Sequence, residues 1–461
     1  MKKSIVLFLL IGMVFPASLL AQNSTLRYKN NNRNASESID AAVYNPAGMV
    51  WLKDGFHIEV GNQLGFGSKE VYDGLTGTTY DGNGGSAFDP TAIFVYKKNK
   101  FAFNFAFGAS GGSGGSMPDG SPMLTMAGYG VSQGLAYGVN SALLGANLPS
   151  EVVDPFTSVL YGPNGGSLEE GSLDLGFMGN VAYKATDWLS VSFGARYLYR
   201  TDDYMRGNVA IMTNGGAIND FSDVLLGMHV PQDQVDAIVG QIPVINGDVA
   251  RVDANYEDNN YWEFSTGINI RPTEKLLIAQ TLSFGPSYTA TMNINDLYVI
   301  DPSLLPELED LLGMKFEDGA KDDRHINPFY RTGIAYHLNE KWRLEANFDA
   351  SFKKDELNEY SFGLGAEYQI SQKVNWGAGF KYSPVRRDQN DMSDIDYNND
   401  FMWIASGIDI QITDRLKGII TAEIGVPTSE REYYMEDGTT LVKRYSDKLN
   451  KSAAFGIAYS F

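Results

Sequence analysis

Few residues of this sequence have the type and spacing that catalysis requires. The run Gly111-Gly-Ser-Gly-Gly115 matches the G-x-S-x-G pattern of a nucleophile elbow. Such an elbow needs a strand, a sharp turn and a helix, with a histidine and an acid beside it, whereas Ser113 lies in a glycine run at a predicted strand end. The histidines, none of them paired at metal-ligand spacing, are His57, His229, His325 and His337. We predict no catalytic residue, no metal site, no cofactor and no enzymatic activity.

An acidic stretch offers oxygen ligands for a hard cation. We favour a solvated acidic loop there, and a divalent ion bridging to lipopolysaccharide is the alternative. The net charge of the chain is −20. Removal of Lys2 and Lys3 with a leader would take away two positive charges and leave −22. This balance excludes nucleic acid as a partner, because phosphate binding needs clustered Lys and Arg. The acidic residues of the stretch are Asp388, Asp391, Asp394, Asp396 and Asp400.

Strands of alternating polarity must position these residues. Between Trp342 and Phe352, apolar side chains alternate with charged and polar ones, so one face of the strand is apolar and the other is charged. The segment from Leu189 to Arg200 repeats this pattern. Alternation predicts fourteen strands, at 54–67, 86–97, 100–113, 170–184, 188–201, 260–271, 275–292, 326–338, 341–352, 359–370, 373–386, 401–412, 415–428 and 449–461.

The connections between these strands differ in length in a regular way. Six are short polar turns, and the longest connections reach about fifty residues. Short turns at one end and long loops at the other are typical of outer-membrane barrels, whose apolar faces point to lipid. We predict an all-β transmembrane barrel of about 14 antiparallel strands over 54–461, with long extracellular loops at 114–169, 202–259 and 293–325.

The two ends of the chain carry signals for export and assembly. Residues 1–21 combine a charged start, an apolar run and a small-residue end, which predicts a secretory signal peptide. The last strand stops at the aromatic residue Phe461 and resembles the C-terminal signature that the barrel-assembly machinery reads in bacterial outer-membrane proteins. The chain has no cysteine, so it is neither a disulfide scaffold nor a thiolate metal site. We predict a multi-pass β-barrel in the bacterial outer membrane.

Three of the long loops contain unusual amounts of apolar sequence. The segment 123–148 is rich in Leu and Met, 232–245 has apolar residues at helical spacing, and Leu304 to Leu312 is a short acidic amphipathic run. Loops exposed to water rarely carry so much apolar surface. Either these segments pack on one another over the barrel mouth, or they form an external groove that captures a hydrophobic solute.

The polar N-terminal segment ends in Asn45-Pro-Ala-Gly48. With the leader and the fourteen predicted strands ending in Phe, this stretch resembles the FadL-type outer-membrane transporters of long-chain fatty acids and hydrocarbons. The resemblance implies that residues 22–53 fold as a hatch that plugs the barrel lumen. It places the ligand-proximal part of that hatch at Asn45, Pro46, Ala47 and Gly48.

The family also has a kink in its third strand, through which the substrate leaves sideways into the membrane. The third predicted strand runs here into a glycine-rich end. Glycine within a strand marks a bend, a bulge or a close backbone approach. The resemblance therefore implies a lateral gate at Gly108, Gly111 and Gly112, and a flexible loop start is the alternative.

Three arginines are predicted to face the lumen: Arg196, Arg331 and Arg343. The guanidinium group of one of them could bind the carboxylate head group of a fatty acid. The favoured alternative is that these arginines pair with acidic residues of the lumen, because charges there are normally compensated. The acids predicted for such pairs are Asp174, Glu263, Glu345 and Asp349.

Together these features predict a monomeric, passive outer-membrane transporter for hydrophobic compounds, with long-chain fatty acids as the expected substrate. The mechanism would be capture by the loops, binding in the lumen beside the hatch, and lateral exit through the wall. The expected partners are fatty acids or hydrocarbons, outer-membrane lipid, lipopolysaccharide and the barrel-assembly machinery. The alternative is a structural or adhesive surface barrel with a static plug.

Overall fold

A computed structural model describes residues 24–111, 114–306, 309, 315–353, 358–384, 394, 399–434 and 439–461. Several predictions concern residues outside this part of the chain. They are the signal peptide at 1–21, the gate residue Gly112, the serine Ser113, and three residues of the acidic stretch, Asp388, Asp391 and Asp396.

The described residues form a closed antiparallel barrel, which confirms the predicted fold class. In chain order the strands are β1 (Gly55–Asp73), β2 (Thr79–Lys98), β3 (Phe101–Gly111), β4 (Gly114–Met117), β5 (Tyr161–Lys184), β6 (Leu189–Thr213), β7 (Asn246–Glu257), β8 (Tyr261–Ile270), β9 (Leu276–Phe284), β10 (Tyr288–Val299), β11 (Lys321–Arg324), β12 (Phe329–His337), β13 (Trp342–Ser351), β14 (Glu359–Gln369), β15 (Val374–Ser383), β16 (Phe401–Gln411), β17 (Leu416–Pro427), β18 (Arg431–Tyr434), β19 (Leu441–Asp447) and β20 (Asn450–Ser460).

Fourteen of these strands make up the wall, each hydrogen-bonded to the next. The order is β1, β2, β3, β5, β6, β8, β9, β12, β13, β14, β15, β16, β17 and β20. Pairing of β20 with β1, from His57↔Ser460 to Phe66↔Lys451, closes the ring. Closure gives every wall strand a neighbour on both sides, which removes the exposed edges of an open sheet.

The side chains of the wall are distributed as in a membrane barrel rather than a soluble one. On β13, Leu344 is 42% exposed on the outside, whereas its neighbour Glu345 is 3% exposed on the inside. On β16, Ile404 points outward and Asp409 is buried in the lumen. An apolar outer face and a polar interior are the arrangement that lipid requires.

The strands next to the long loops run further than alternation predicted. β5 begins at Tyr161 and β6 continues to Thr213, where it pairs with β7. β7 in turn pairs with β10, so a further sheet rises above the wall. The strand predicted at 275–292 is two strands, because the chain breaks at Pro286 between β9 and β10. Proline has no N–H to donate to a ladder, and after the break β10 leaves the wall to join β7.

Helices occur inside the barrel and on its long-loop side. They are α1 (Arg27–Asn30), α2 (Ala41–Tyr44), α3 (Pro122–Gly145), α4 (Ser150–Thr157), α5 (Gly215–Gly227) and α6 (Gln232–Val239), with 3-10 turns at Pro46–Trp51 and Pro302–Leu304. The Ser121 side chain accepts a hydrogen bond from the Leu124 N–H and caps α3. Within the described ranges, no helix is long and apolar enough to cross a membrane.

The outer helices share a hydrophobic core with the extended strands. Leu124 of α3, Phe156 of α4 and Leu225 of α5 belong to one buried cluster, together with Val252 of β7. The rings of Phe156 and Phe221 stack with centroids 4.1 Å apart. The apolar loop segments therefore do pack on one another, and they form a folded cap above the barrel.

Candidate functional site

The N-terminal segment, residues 24–52, lies inside the barrel. Its contacts are distributed around the whole wall: Thr25 bonds to Glu59 of β1, the Ala42 carbonyl accepts from Asn180 of β5, and the Ala47 carbonyl accepts from Ser190 of β6. Across the barrel, Asn34 donates to Asp349 of β13. The Thr25 carbonyl accepts from Thr421 of β17, which is separated from β1 by β20. Only a segment enclosed by the wall can contact strands spaced in this way. Nearly all its residues are buried although about half of them are polar.

A network of buried ion pairs connects this segment to two strands of the wall. The Lys29 Nζ lies 2.7 Å from a Glu367 oxygen and 2.5 Å from an Asp409 oxygen. Arg33 contacts Asp40 at 2.7 Å and the other Glu367 oxygen at 2.5 Å. Glu367 is thus shared by two cations of the N-terminal segment. Because removing one member of a buried pair leaves an uncompensated charge, such a network holds the segment in one position.

The stretch Asn45 to Gly48 lies against β6 and β8. The Asn45 amide donates to the Ser36 carbonyl at 3.1 Å. Turned so that its oxygen faces the Gly48 N–H at 3.2 Å, the Asn269 amide of β8 also bonds to Asn45. A Cβ on Gly48 would lie 2.8 Å from the Asn45 amide nitrogen and would also overlap the Ser36 carbonyl oxygen. Glycine is therefore required here by close approach.

Two of the three candidate head-group arginines have acidic partners. Arg196 lies 2.6 Å from Glu263. Arg343 lies 2.6 Å from Glu345 and donates to the Ala35 carbonyl at 2.7 Å. These pairs match the charge compensation that was the favoured alternative for lumen arginines.

Arg331 differs from the other two. It is buried, its guanidinium donates only a long 3.4 Å hydrogen bond to the Val43 carbonyl, and it lies 5.8 Å from the centre of the Tyr44 ring. Its cross-strand neighbour Asp349 is bound to Lys381 at 2.7 Å. Among the described residues, no carboxylate forms an ion pair with Arg331. Arg331 therefore lies beside the segment that precedes Asn45 without a direct ion pair among the described residues, and Asp349 is the acid that attracts it most strongly.

Among the described residues, the pairing of β2 with β3 is interrupted next to two of the predicted gate residues. The β2–β3 register ends at Thr91↔Gly108, and β2 meets the following strand again at Asn83↔Ser116 of β4. On the other side of β3, a register shift with β5 occurs between Ala109 and Gly111. A Cβ on Gly108 would lie 2.9 Å from the Pro90 carbonyl oxygen. The glycines thus stand where β3 turns away from β2.

An apolar pocket lies at the long-loop end of the barrel, under α3. Its empty volume is about 490 Å³, including the part open to solvent. The extended parts of β5, β6, β7 and β10 form its floor, and the segment after β10 covers it. The side chains that line it include Leu124, Leu168, Met205, Val252, Leu297 and Phe316. Of the three apolar loop segments, the first and the third reach the pocket, through Leu124 and Leu305. Val235 of the second is buried in the core of the cap.

Sequence reasoning missed the sheet that forms the pocket floor. The signal was present, because Val252 and Ala254 alternate with Arg251 and Asp253 in β7. This stretch falls within the loop predicted at 202–259. The described residues also contain no group of three or more side chains that could hold a metal ion. Asp394 of the acidic stretch is bound to Lys443 at 2.8 Å.

No protein-family model matches the sequence, and no curated protein matches it. Solved structures do match. A Pseudomonas aeruginosa FadL homologue superposes with a TM-score of 0.60 at 14% identity, covering 96% of this chain and 98% of that one. The fold is that of the FadL-type barrels. The P. putida toluene transporter TodX gives a TM-score of 0.58 at 12% identity, covering 96% of this chain and 99% of its own.

A third FadL-type structure, the Ralstonia pickettii toluene transporter TbuX, gives a TM-score of 0.52 at 14% identity and covers 96% of this chain and 99% of its own. The FadL-type likeness extends over nearly the whole chain and confirms the resemblance that the sequence indicated. At identities this low, it establishes the fold alone. The closed wall and its apolar outer face make this chain a bacterial outer-membrane β-barrel.

Proposed function

We propose that this barrel is a passive outer-membrane transporter for hydrophobic compounds. The observation that carries the proposal is the apolar pocket at the loop end of a barrel whose lumen is occupied by the chain's own N-terminal segment. A pocket lined by aliphatic and aromatic side chains offers apolar contacts to a small hydrophobic molecule. Two of the structures that share this fold, TodX and TbuX, are toluene transporters, which supports the same class of solute.

We propose long-chain fatty acids as a substrate, because Arg331 supplies a site for their head group. The guanidinium of Arg331 is buried and has no acidic partner among the described residues. A fatty-acid carboxylate would provide the missing counter-charge through charge-assisted hydrogen bonds. The Tyr44 ring beside Arg331 adds apolar surface for the adjoining methylene groups.

In this proposal the N-terminal segment acts as a hatch. The segment forms hydrogen bonds with polar groups of the wall. When the segment is displaced, these hydrogen bonds are replaced by hydrogen bonds to water. The turn from Pro46 to Trp51 begins at a proline whose ring limits the backbone of Asn45 to non-helical geometry. We propose that Asn45 to Gly48 shifts to admit the solute past Arg331.

The exit that we propose is sideways, through the interruption between β2 and β3. A solute leaving there would enter the apolar phase of the membrane without crossing water. Gly108 suits this position because its lack of a side chain allows the close approach to Pro90 at the edge of the interruption.

The proposal is tested by uptake of radiolabelled oleate and toluene into cells with and without the gene. We expect uptake of both solutes to fall when the gene is removed and to return with the wild-type gene. A Pro46→Leu variant should reach the membrane in normal amount and yet restore less than half of the uptake, because the altered turn changes the path of the hatch. If the gene makes no difference for either solute, the transport function is wrong and a structural or adhesive barrel replaces it.

A further inference from the structure

We propose that the outer pocket accepts only uncharged molecules, so that it captures a fatty acid in its protonated form and an alcohol or hydrocarbon at any pH. This inference rests on the proposed function and adds a selectivity to it. The selectivity follows from three features: the surface of the pocket, the direction in which its polar neighbours point, and the charges of the segment that covers it.

The inward face of the floor is apolar throughout. Gly207 of β6 pairs with Val252 of β7, which pairs with Leu297 of β10, so the three share one face of the sheet. Leu124, Leu305 and Phe316 approach this face from above. A carboxylate placed there would lose its water without gaining a hydrogen-bond donor from these side chains, which is strongly unfavourable for a charged group.

The polar residues that border the pocket point away from it. Arg251 pairs with Asn208 on one side and Tyr298 on the other, and strand alternation places all three on the outer face of the sheet. There the Arg251 guanidinium lies 2.6 Å from Asp296, and the Asn208 amide donates to Asp248 at 2.7 Å. Among the described residues that border the pocket, Arg251 is the basic one. Its charge is compensated by the ion pair with Asp296.

Two carboxylates of the segment that covers the pocket are held by backbone hydrogen bonds, whereas its lysine Lys315 is exposed and does not line the pocket. A Glu309 oxygen accepts a hydrogen bond from the N–H of Phe316, a lining residue, at 2.8 Å. An Asp318 oxygen accepts from the N–H of Ile294 on β10 at 3.0 Å. Both negative charges would repel an ionised head group at the pocket mouth. An uncharged molecule meets neither the repulsion nor the desolvation.

Competition binding with matched ligands tests this selectivity. The purified protein is held in amphipol, and decan-1-ol or decanoic acid displaces the uncharged fluorescent probe N-phenyl-1-naphthylamine at pH 5.5 and pH 7.5. The protonated fraction of an acid falls about tenfold per pH unit above its own pKa. We expect decanoic acid to bind roughly a hundredfold more weakly at the higher pH, and decanol to bind equally at both.

Two variants assign the effect to this pocket. Glu309→Gln keeps an acceptor for the Phe316 N–H but removes the charge, so the affinity for decanoate at pH 7.5 should rise about threefold with decanol unchanged. Glu432→Gln is the matched control, because this carboxylate is paired with Arg444 on β18 and β19 and does not border the pocket.

Val252→Trp fills the pocket and should abolish displaceable probe binding.

The possible results distinguish the charge selectivity of the pocket from the transport function. Equal decanoate affinity at the two pH values overturns the charge selectivity and leaves the transport function intact. Full probe binding by Val252→Trp overturns the assignment to this pocket. Failure of both ligands to displace the probe at either pH counts against the proposed function itself.

Discussion

At the scale of single residues, charge compensation separates structural from functional candidates in the lumen. Arg196 and Arg343 have carboxylates within hydrogen-bond distance, so their charges are already used in holding the structure together. Arg331 occupies an equally buried position without such a partner among the described residues. Burying an unpaired guanidinium is costly, which makes Arg331 the position where an anionic ligand would stabilise the protein most.

We predict that Arg331→Met lowers oleate uptake by roughly tenfold or more, since a hydrogen bond to a charged group contributes about 1.5–3 kcal/mol. Toluene uptake should not change, because toluene has no charged group. Arg415→Met, in an exposed short turn, is the control. An equal loss for both solutes would show that Arg331 supports the barrel rather than the ligand.

A second residue-scale prediction concerns Asp394 above the barrel. Its carboxylate accepts from the Met123 N–H at 2.7 Å and pairs with Lys443, so it anchors the start of α3. Burial alone would raise the pKa of Asp394, but Lys443 and the hydrogen bonds hold that pKa below its ordinary value. A lowered pKa stabilises the folded state above the unfolded value of about 3.9, and this contribution disappears as the pH falls through the folded pKa.

We therefore expect Asp394→Asn to lower the melting temperature of the purified protein at pH 7, through a loss of about 2 kcal/mol. The difference from the wild type should vanish at pH values below the folded pKa. Asp81→Asn, which removes an exposed partner of Lys448, should change little at either pH. A constant difference down to the lowest pH would mean that the carboxylate charge is not what anchors α3.

At the scale of elements, the N-terminal segment depends on the barrel for its structure. Its helices α1 and α2 have four residues each, too short to be stable alone. Wall side chains supply the missing interactions, and among them Glu367 contacts both Lys29 and Arg33. The segment is thus a folded element only inside the lumen.

We predict that Glu367→Gln loosens this segment without opening the barrel. The change leaves Lys29 and Arg33 with too little negative charge, a loss of about 3–5 kcal/mol for a broken buried network. Trypsin should then cleave at Arg27, Lys29 or Arg33 in the intact membrane protein, as followed by mass spectrometry. Glu340→Gln, at an exposed turn, is the control and should remain protected. Equal protection of the two variants would show that other contacts suffice.

At the scale of the whole molecule, the chain is arranged inside out relative to a soluble barrel. Lipid-facing side chains are apolar, the lumen is lined by charges, and the N-terminal segment fills that lumen where a porin would have water. The cap of helices closes the other end around its own hydrophobic core. The charged lumen is therefore occupied by the chain itself.

We predict that the wild-type barrel conducts few ions in a planar bilayer and that deletion of residues 24–52 raises its conductance at least tenfold, because the charged lumen then fills with water. Single-channel recording measures this directly. Reconstituted protein that has been checked for strand content by circular dichroism provides the control for folding. A wild-type conductance equal to that of the deletion would mean that the N-terminal segment does not block the lumen.

The fourteen strands of the wall could be predicted from the amino-acid sequence. Alternation along each strand is a local property with a period of two residues, and membrane and lumen impose it on every wall strand, so the fourteen strands could be predicted. The prediction is wrong above the membrane, where β7 and β10 do not lie between lipid and lumen and were assigned wholly or largely to loops. It also failed at Pro286, where one predicted strand is two.

The pairing of the lumen charges and the position of the pocket depend on tertiary contacts and could not be predicted from the sequence. Arg196, Arg331 and Arg343 look alike in sequence, because each is an arginine in an alternating strand. Their partners depend on the register between strands and on backbone carbonyls of the N-terminal segment, which lies about three hundred residues away in sequence from Arg331 and Arg343. The pocket likewise needs α3, four strands and the segment after β10 to meet. Such contacts between distant segments leave no periodic trace in the chain.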